Sequence, residues 1–275
     1  MALLDGKRLI ISGVLTDDSI AYAVAETAIY HGAKVLLTNA PGRPSSIMGR
    51  IAKRLPDDPV ALVEADLTDE DGVQALREAA ERYWGGVDGI LHAVAFAPPT
   101  ALGGNFLNTQ WEDVATAIEV SAYSLKAMVV GLRPLLEKAG DKGASVVSLD
   151  FDATVAWPVY DWMGVAKASL ESITRYLARD LGPSKIRVNT VSSGPIQTMA
   201  GKSIPGFNQL ADAWESQAPL GWNVRDAGSV ADTVAYLFSD LSRGMTGSVL
   251  HVDGGYHAMG APVVGASTRS VESGR

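Results

Sequence analysis

Tyr160 and Lys167 stand seven residues apart in the stretch Trp157-Pro158-Val159-Tyr160-Asp161-Trp162-Met163-Gly164-Val165-Ala166-Lys167. A phenol, with a pKa near ~10, can hold a hydrogen bond to a developing oxyanion, and an ammonium beside it favours that charge. The pair suits reduction of a carbonyl or a conjugated carbonyl. Proline is tolerated at the first helical position, so the pattern predicts a helix over 158–181, stopped by Gly182-Pro183. On such a helix a spacing of seven falls only ~20° short of two full turns, which places both groups on one face. An amphipathic helix that merely carries an aromatic and a lysine has the same spacing, so the surrounding elements must decide.

Those elements read as alternating strands and helices. Residues 8–12 form a short apolar run ending at Gly13, a helical pattern begins at Ser19 and stops at Gly32, and 34–38 is a second apolar run. Strand, loop, helix and strand over about thirty residues make a βαβ unit of the kind that binds dinucleotides. The loop from Gly13 to Ile20 has glycine only at its first position, so it is not a G-x-G-x-x-G fingerprint. It still sets backbone N–H groups and a helix N-terminus where a pyrophosphate would gain from both, although Ser19 is equally a plain N-cap. No Asp or Glu ends the second strand to bind ribose hydroxyls; Arg43 in the following Pro/Gly/Ser loop is either a 2′-phosphate contact or a solvated side chain.

Further strands are expected at 60–66, 87–94, 144–151, 186–191 and 248–253, with helical patterns at 111–136 and 230–241. Asp66 ends the third strand as an adenine contact or a helix cap, and Phe151 ends the fifth as a pocket wall or as core packing. The segment 198–223 is longer and mixed in polarity, as substrate lids are. The sum is an α/β protein with a parallel sheet of about seven strands. Residues 1–260 read as one domain, and 261–275 as a Ser/Gly-rich mobile tail.

Composition narrows the function. A net charge of −8 without a long Lys/Arg block argues against nucleic-acid binding. With no cysteine and four dispersed histidines, neither disulfides nor a metal site are expected. The N-terminal residues carry no apolar signal core and no later segment reads as a bilayer span, so a soluble, cytoplasmic protein without a membrane partner is expected.

Taken together, Ser12-Gly13-Val14-Leu15-Thr16-Asp17-Asp18-Ser19-Ile20-Ala21, Asp150-Phe151-Asp152, the Tyr160 to Lys167 stretch, Gly194-Pro195-Ile196 and Val252-Asp253-Gly254-Gly255 resemble a short-chain dehydrogenase/reductase. More narrowly, the chain resembles the bacterial enoyl-acyl-carrier-protein reductases of FabI and InhA type, with Pro219-Leu220-Gly221-Trp222-Asn223 pointing to the actinobacterial InhA-like branch. In the wider superfamily the lysine follows the tyrosine by four residues; here that position is Gly164, and Lys167 matches the enoyl-reductase spacing. The resemblance implies a Rossmann-like, doubly wound sheet with helices on both faces, a homotetramer, NADH rather than NADPH, and an enoyl thioester on acyl carrier protein as substrate. It implies that Gly13, Ser19 and Ile20 surround the pyrophosphate, Asp66 and Leu67 the adenine, and Val94 and Ala95 the adenosine side of the fourth strand. Lys167 would hold the nicotinamide ribose and Ile196 its carboxamide, while Tyr160 and Met163 meet the substrate and Phe151 shapes the hydride path. Ala95 stands where the family usually has glycine, and Ala93 where the InhA-like branch often has serine. Lys202, beside the lid, is a candidate contact for an acidic carrier protein. A 3-oxoacyl or other reductase, or a non-catalytic dinucleotide sensor, are the rival readings.

Overall fold

The computed structural model describes residues 2–42 and 45–260. Seven strands, β1 (Arg8–Ser12), β2 (Lys34–Asn39), β3 (Ala61–Glu64), β4 (Gly89–His92), β5 (Ala144–Asp150), β6 (Ile186–Ser193) and β7 (Val249–Val252), form one sheet in the order β3-β2-β1-β4-β5-β6-β7. Every pairing is parallel. The five inner strands β2, β1, β4, β5 and β6 are buried on both faces, so successive side chains enter opposite layers. Leu9 and Ile11 of β1 face α1 (Ile20–Tyr30) and α9 (Gly228–Phe238). Ile10 between them faces α3 (Glu70–Trp84), α5 (Ser124–Leu136) and α6 (Asp161–Leu181). The expected doubly wound sheet is thus present, with its order reversing between β1 and β4. Ligands bind such sheets beyond the strand ends at that crevice.

Several boundaries differ from the sequence reading. The segment after β2 is not all loop, since α2 (Ser45–Ala52) begins there; Arg43 and the tail 261–275 lie outside the described residues. The pattern over 111–136 divides into α4 (Trp111–Ile118), a π-helical segment (Glu119–Tyr123) and α5. By length and composition this run is apolar enough to cross a membrane, with mean hydropathy 1.3, contrary to the expectation that no segment was. Its Leu125, Met128 and Leu132 are fully buried in the core that faces α3 and α6, so apolarity here serves packing. The segment 198–223 contains two helices, α7 (Met199–Lys202) and α8 (Phe207–Gln217), and β6 reaches Ser193 where a turn was expected from Ser192.

Helix α6 starts at Asp161 and not near Pro158, so Tyr160 precedes the helix. Val159 and Asp161 both have positive φ, 60° and 43°. The Val159 carbonyl accepts from Gly103 N at 2.9 Å, and the Asp161 carboxylate accepts from Gly104 N at 2.6 Å and Asn105 N at 2.9 Å. These ties to the 99–108 segment outweigh the helix-starting preference of proline and hold a left-handed backbone that costs a non-glycine residue on the order of 1 kcal/mol.

Candidate active site

The first part of the site grows from β1. Its ladder with β4 ends at Ile11 opposite Leu91, and beyond it the Ser12 hydroxyl continues the connection, donating to Leu91 O at 2.8 Å and accepting from Ala93 N at 3.0 Å. The loop then passes so close to β4 that a Cβ on Gly13, whose φ is +83°, would lie 2.1 Å from Ala93 O. Only glycine fits that approach. The Ser19 hydroxyl donates to Thr16 O at 2.7 Å and accepts from Tyr22 N at 3.2 Å, so Ser19 is the N-cap of α1. Ile20 and Ala21, in the first turn of α1 where a helix leaves N–H groups without internal partners, line the cavity described next.

This cavity, about 460 Å³, lies over the ends of β1, β2, β3 and β4 and is lined by Gly13, Ser19, Ile20, Asp66, Leu67, Val94 and Ala95, all expected there from the sequence. Asp66 accepts from Thr68 N at 2.9 Å and from the Thr68 hydroxyl at 2.7 Å, while the cap position of α3 belongs to Asp69. Asp66 therefore shapes the turn that forms the wall. Buried Thr16 Oγ1, Thr38 Oγ1 and Asn39 Oδ1 have no hydrogen-bond partner among the described residues, and all three residues line the cavity. Orphaned polar atoms, a glycine at the closest approach and a helix N-terminus are what a dinucleotide requires, so these residues fit a nicotinamide cofactor.

The second part, about 620 Å³, shares Leu15, Ile20, Ala95, Phe96 and Leu149 with the first, so the two make one cleft. It is lined by Phe151, Tyr160, Met163, Lys167 and Ile196, the remaining residues singled out from the sequence. Tyr160 is 5% exposed and Lys167 6%. The Lys167 ammonium donates to Leu149 O at 2.8 Å, which fixes it against the end of β5. Burial pushes the Tyr160 phenol well above its ordinary pKa, and the Asp150 carboxyl adds to this. The phenol thus keeps its proton and is a hydrogen-bond donor at any working pH. Burial pulls Lys167 down, against the opposing pull of Asp150. Asp150 itself is pushed up to about 8 by burial, with Lys167 acting against the rise and Glu171 adding to it. Among the described residues neither Asp150 oxygen has a hydrogen bond of ordinary geometry.

Sequence reading missed the supports. Ser121, in the π-helical segment, donates to Phe96 O and accepts from Phe96 N, both at 2.9 Å, which clamps the loop after β4 across the junction of the two cavities. Such wide turns interrupt α-helices at functional sites, and no residue type announces them. Ser124 donates to Val120 O at 2.7 Å, so the fully buried His92 gives its Nε2 proton to Ser124 Oγ at 2.8 Å. Burial, with the Lys167 charge behind it, pushes His92 down to about 3. Phe151 is both pocket wall and core: its ring lies 5.2 Å from that of Tyr160, 5.3 Å from Trp157 and 5.4 Å from Trp214 of α8. Trp214 in turn stacks on Tyr256 at 3.8 Å. Lys202 on α7 faces Asp18 at 3.8 Å, so it is not a lone surface cation.

Fold and site together define a nicotinamide-dinucleotide oxidoreductase of the doubly wound class. The enoyl-(acyl carrier protein) reductase family model matches residues 13–257. The chain is 39% identical over 267 residues to an enoyl-[acyl-carrier-protein] reductase [NADH] of Mycolicibacterium smegmatis, covering 92% of this chain and 97% of that one. It is 38% identical to the NADH enzyme of Aquifex aeolicus, over 94% of each chain. It is 37% identical to a reductase of Staphylococcus aureus named for NADPH, over 94% of this chain and all of that one. The chain belongs to the enoyl-(acyl carrier protein) reductase family.

Proposed function

We propose that this chain reduces the trans-2 double bond of enoyl-acyl-carrier-protein thioesters with NADH in fatty acid synthesis. The observation that carries the reading is the burial of Tyr160 and Lys167 on the cavity that continues the dinucleotide cleft. When bound, the reduced nicotinamide supplies the hydride that goes to the β-carbon. Charge then gathers on the thioester oxygen as an enolate, Tyr160 donates a hydrogen bond to that oxygen, and a proton taken up from solvent at the α-carbon completes the reduction. A preorganised donor in a water-poor pocket favours charge that develops only in the transition state. Lys167 holds the nicotinamide ribose and adds positive potential, with Leu149 O fixing its stem. Gly13, Ser19 and Ile20 cradle the pyrophosphate, Asp66 and Leu67 the adenine, Val94 and Ala95 the adenosine side, and Ile196 the carboxamide. Phe151 and Met163 shape the path to the β-carbon.

Residues 198–223 act as the lid, in one reductase domain over 1–260. By the family resemblance that lid is shorter than in reductases acting on very long acyl chains, which supports medium to long acyl chains as substrates, and a homotetramer in the cytoplasm follows the same resemblance. The test is oxidation of NADH by a medium-length trans-2-enoyl thioester, repeated with NADPH and with the matching 3-oxoacyl thioester. Turnover with the enoyl substrate and NADH is expected. Turnover with only the 3-oxoacyl substrate, or nicotinamide binding without turnover of either, overturns the reading.

A further inference from the structure

Away from the cleft, the end of β7 gathers three metal-ligating side chains. Leu250 and Val252 pack into the layer of α1 and α9, so the alternation of the strand sends His251 to the opposite face. Asp253, 4% exposed, follows at the strand end and holds a tight turn, accepting from Gly255 N at 2.9 Å and His257 N at 2.8 Å. That turn brings His257 back over the strand. Its Nδ1 lies 3.0 Å from both Asp253 oxygens, and its ring stacks on that of His251 at 4.0 Å and 13°. One ligand atom from each of the three residues lies within 4.8 Å of the others.

The contact between His257 and Asp253 explains only two members of this group. His251 Nδ1 is buried and has no hydrogen-bond partner among the described residues. A second ring stacked against it offers no donor along the ring plane. Two donors bound to one ion at about 2.0–2.2 Å sit roughly 3–3.5 Å apart, close to the His257–Asp253 separation, and the third joins them when the His251 ring turns out of its stack so that its in-plane lone pair points at the same ion. Two imidazoles and one carboxylate are borderline donors, suited to zinc, nickel or cobalt and not to magnesium or calcium, which take oxygen ligands.

We propose that His251, Asp253 and His257 form a binding site for one divalent transition-metal ion of the zinc class. The ion replaces the proton shared by His257 and Asp253 and gives His251 its missing partner, with water completing the coordination. None of the three residues lines the catalytic cleft, so the site works whether or not nicotinamide is bound. The turn that carries it does fasten the lid segment, through Leu220 N to Gly254 O at 3.1 Å and the Tyr256–Trp214 stack.

The test is calorimetric titration of the whole protein with Zn2+, with Co2+ absorbance as a report on nitrogen ligation and thermal unfolding as a second readout. One ion per chain is expected, with the unfolding midpoint rising by roughly 5 °C at saturation and affinity falling as protons compete at acid pH. His251→Phe and His257→Phe should each weaken binding by at least about 100-fold, and His31→Ala should not. Asp253 caps the turn, so the histidine variants carry the test, and retained NADH binding shows that they are folded. Absence of Zn2+, Ni2+ and Co2+ binding, binding that survives both histidine substitutions, or equal binding of Mg2+ overturns the proposal.

Discussion

The dinucleotide end of the cleft is walled by backbone and small side chains at the ends of four neighbouring strands, whereas the acyl end is backed by aromatic rings from three separate segments. At the first end the controlling quantity is how near two chains come, as at Gly13 and Ala93. At the second it is how rings pack, as for Phe151, Trp157, Tyr160 and Trp214. A backbone contact tolerates no added atom, while a packed side chain can be exchanged for another of similar volume at modest cost. On the proposed assignment, the end that takes the cofactor is thus the one that tolerates least change, and the end that meets variable acyl chains is the adjustable one.

That contrast can be broken in four places. Gly13→Val should be most severe, because the new side chain meets Ala93 O; NADH binding should be lost and stability should drop by more than about 4 kcal/mol in denaturant unfolding. A variant that binds NADH normally would show that the loop yields. His92, behind the wall between the halves, is held at about 3 in the folded protein and titrates near 6.5 when unfolded. The unfolded chain therefore binds the extra proton first, and stability should fall as pH drops from about 6.5 to about 3, by roughly 4–5 kcal/mol from this group. His92→Gln should flatten that part of the stability profile, and an unchanged slope would assign the acid loss elsewhere.

Tyr160→Phe keeps the ring and removes the hydroxyl, so it should slow enoyl turnover by about 10²–10³ with NADH affinity nearly unchanged. Steady-state kinetics beside a binding titration separate the two, and full turnover would remove Tyr160 from the reaction. Trp214→Phe should have the smallest effect, raising KM for the acyl substrate roughly 2- to 10-fold as the stack on Tyr256 weakens. An equal loss of NADH affinity would mean that the two ends are not independent.

The parallel sheet and the residues of the cleft were legible because strand ends in such folds converge on one crevice, so Gly13, Asp66, Ala95, Tyr160 and Lys167 meet once the strands are placed. The start of α6 was not legible, since local preference favoured Pro158 while contacts to Gly103, Gly104 and Asn105 across the fold set Asp161. Ser12, Ser121 and Ser124 were passed over for a related reason. A serine is unremarkable by type, and these act through partners 79, 25 and 32 residues away. The histidines were dismissed as dispersed, yet a turn stacks His251 on His257.

The π-helical segment at Glu119–Tyr123 also bears on how the gene can vary. A wide turn is the trace of one residue more than an α-helix would hold, and one residue is worth about 100° of rotation. It shifts the phase between the two halves of the rod, so that α4 packs on α6 while α5 packs mainly on α3 and also on α6. Losing one codon between 119 and 123 would restore the phase, turn Ser121 away from Phe96 and misalign one of the two interfaces. Within these five positions a change of length should therefore disturb packing more than a substitution at the half-exposed Tyr123.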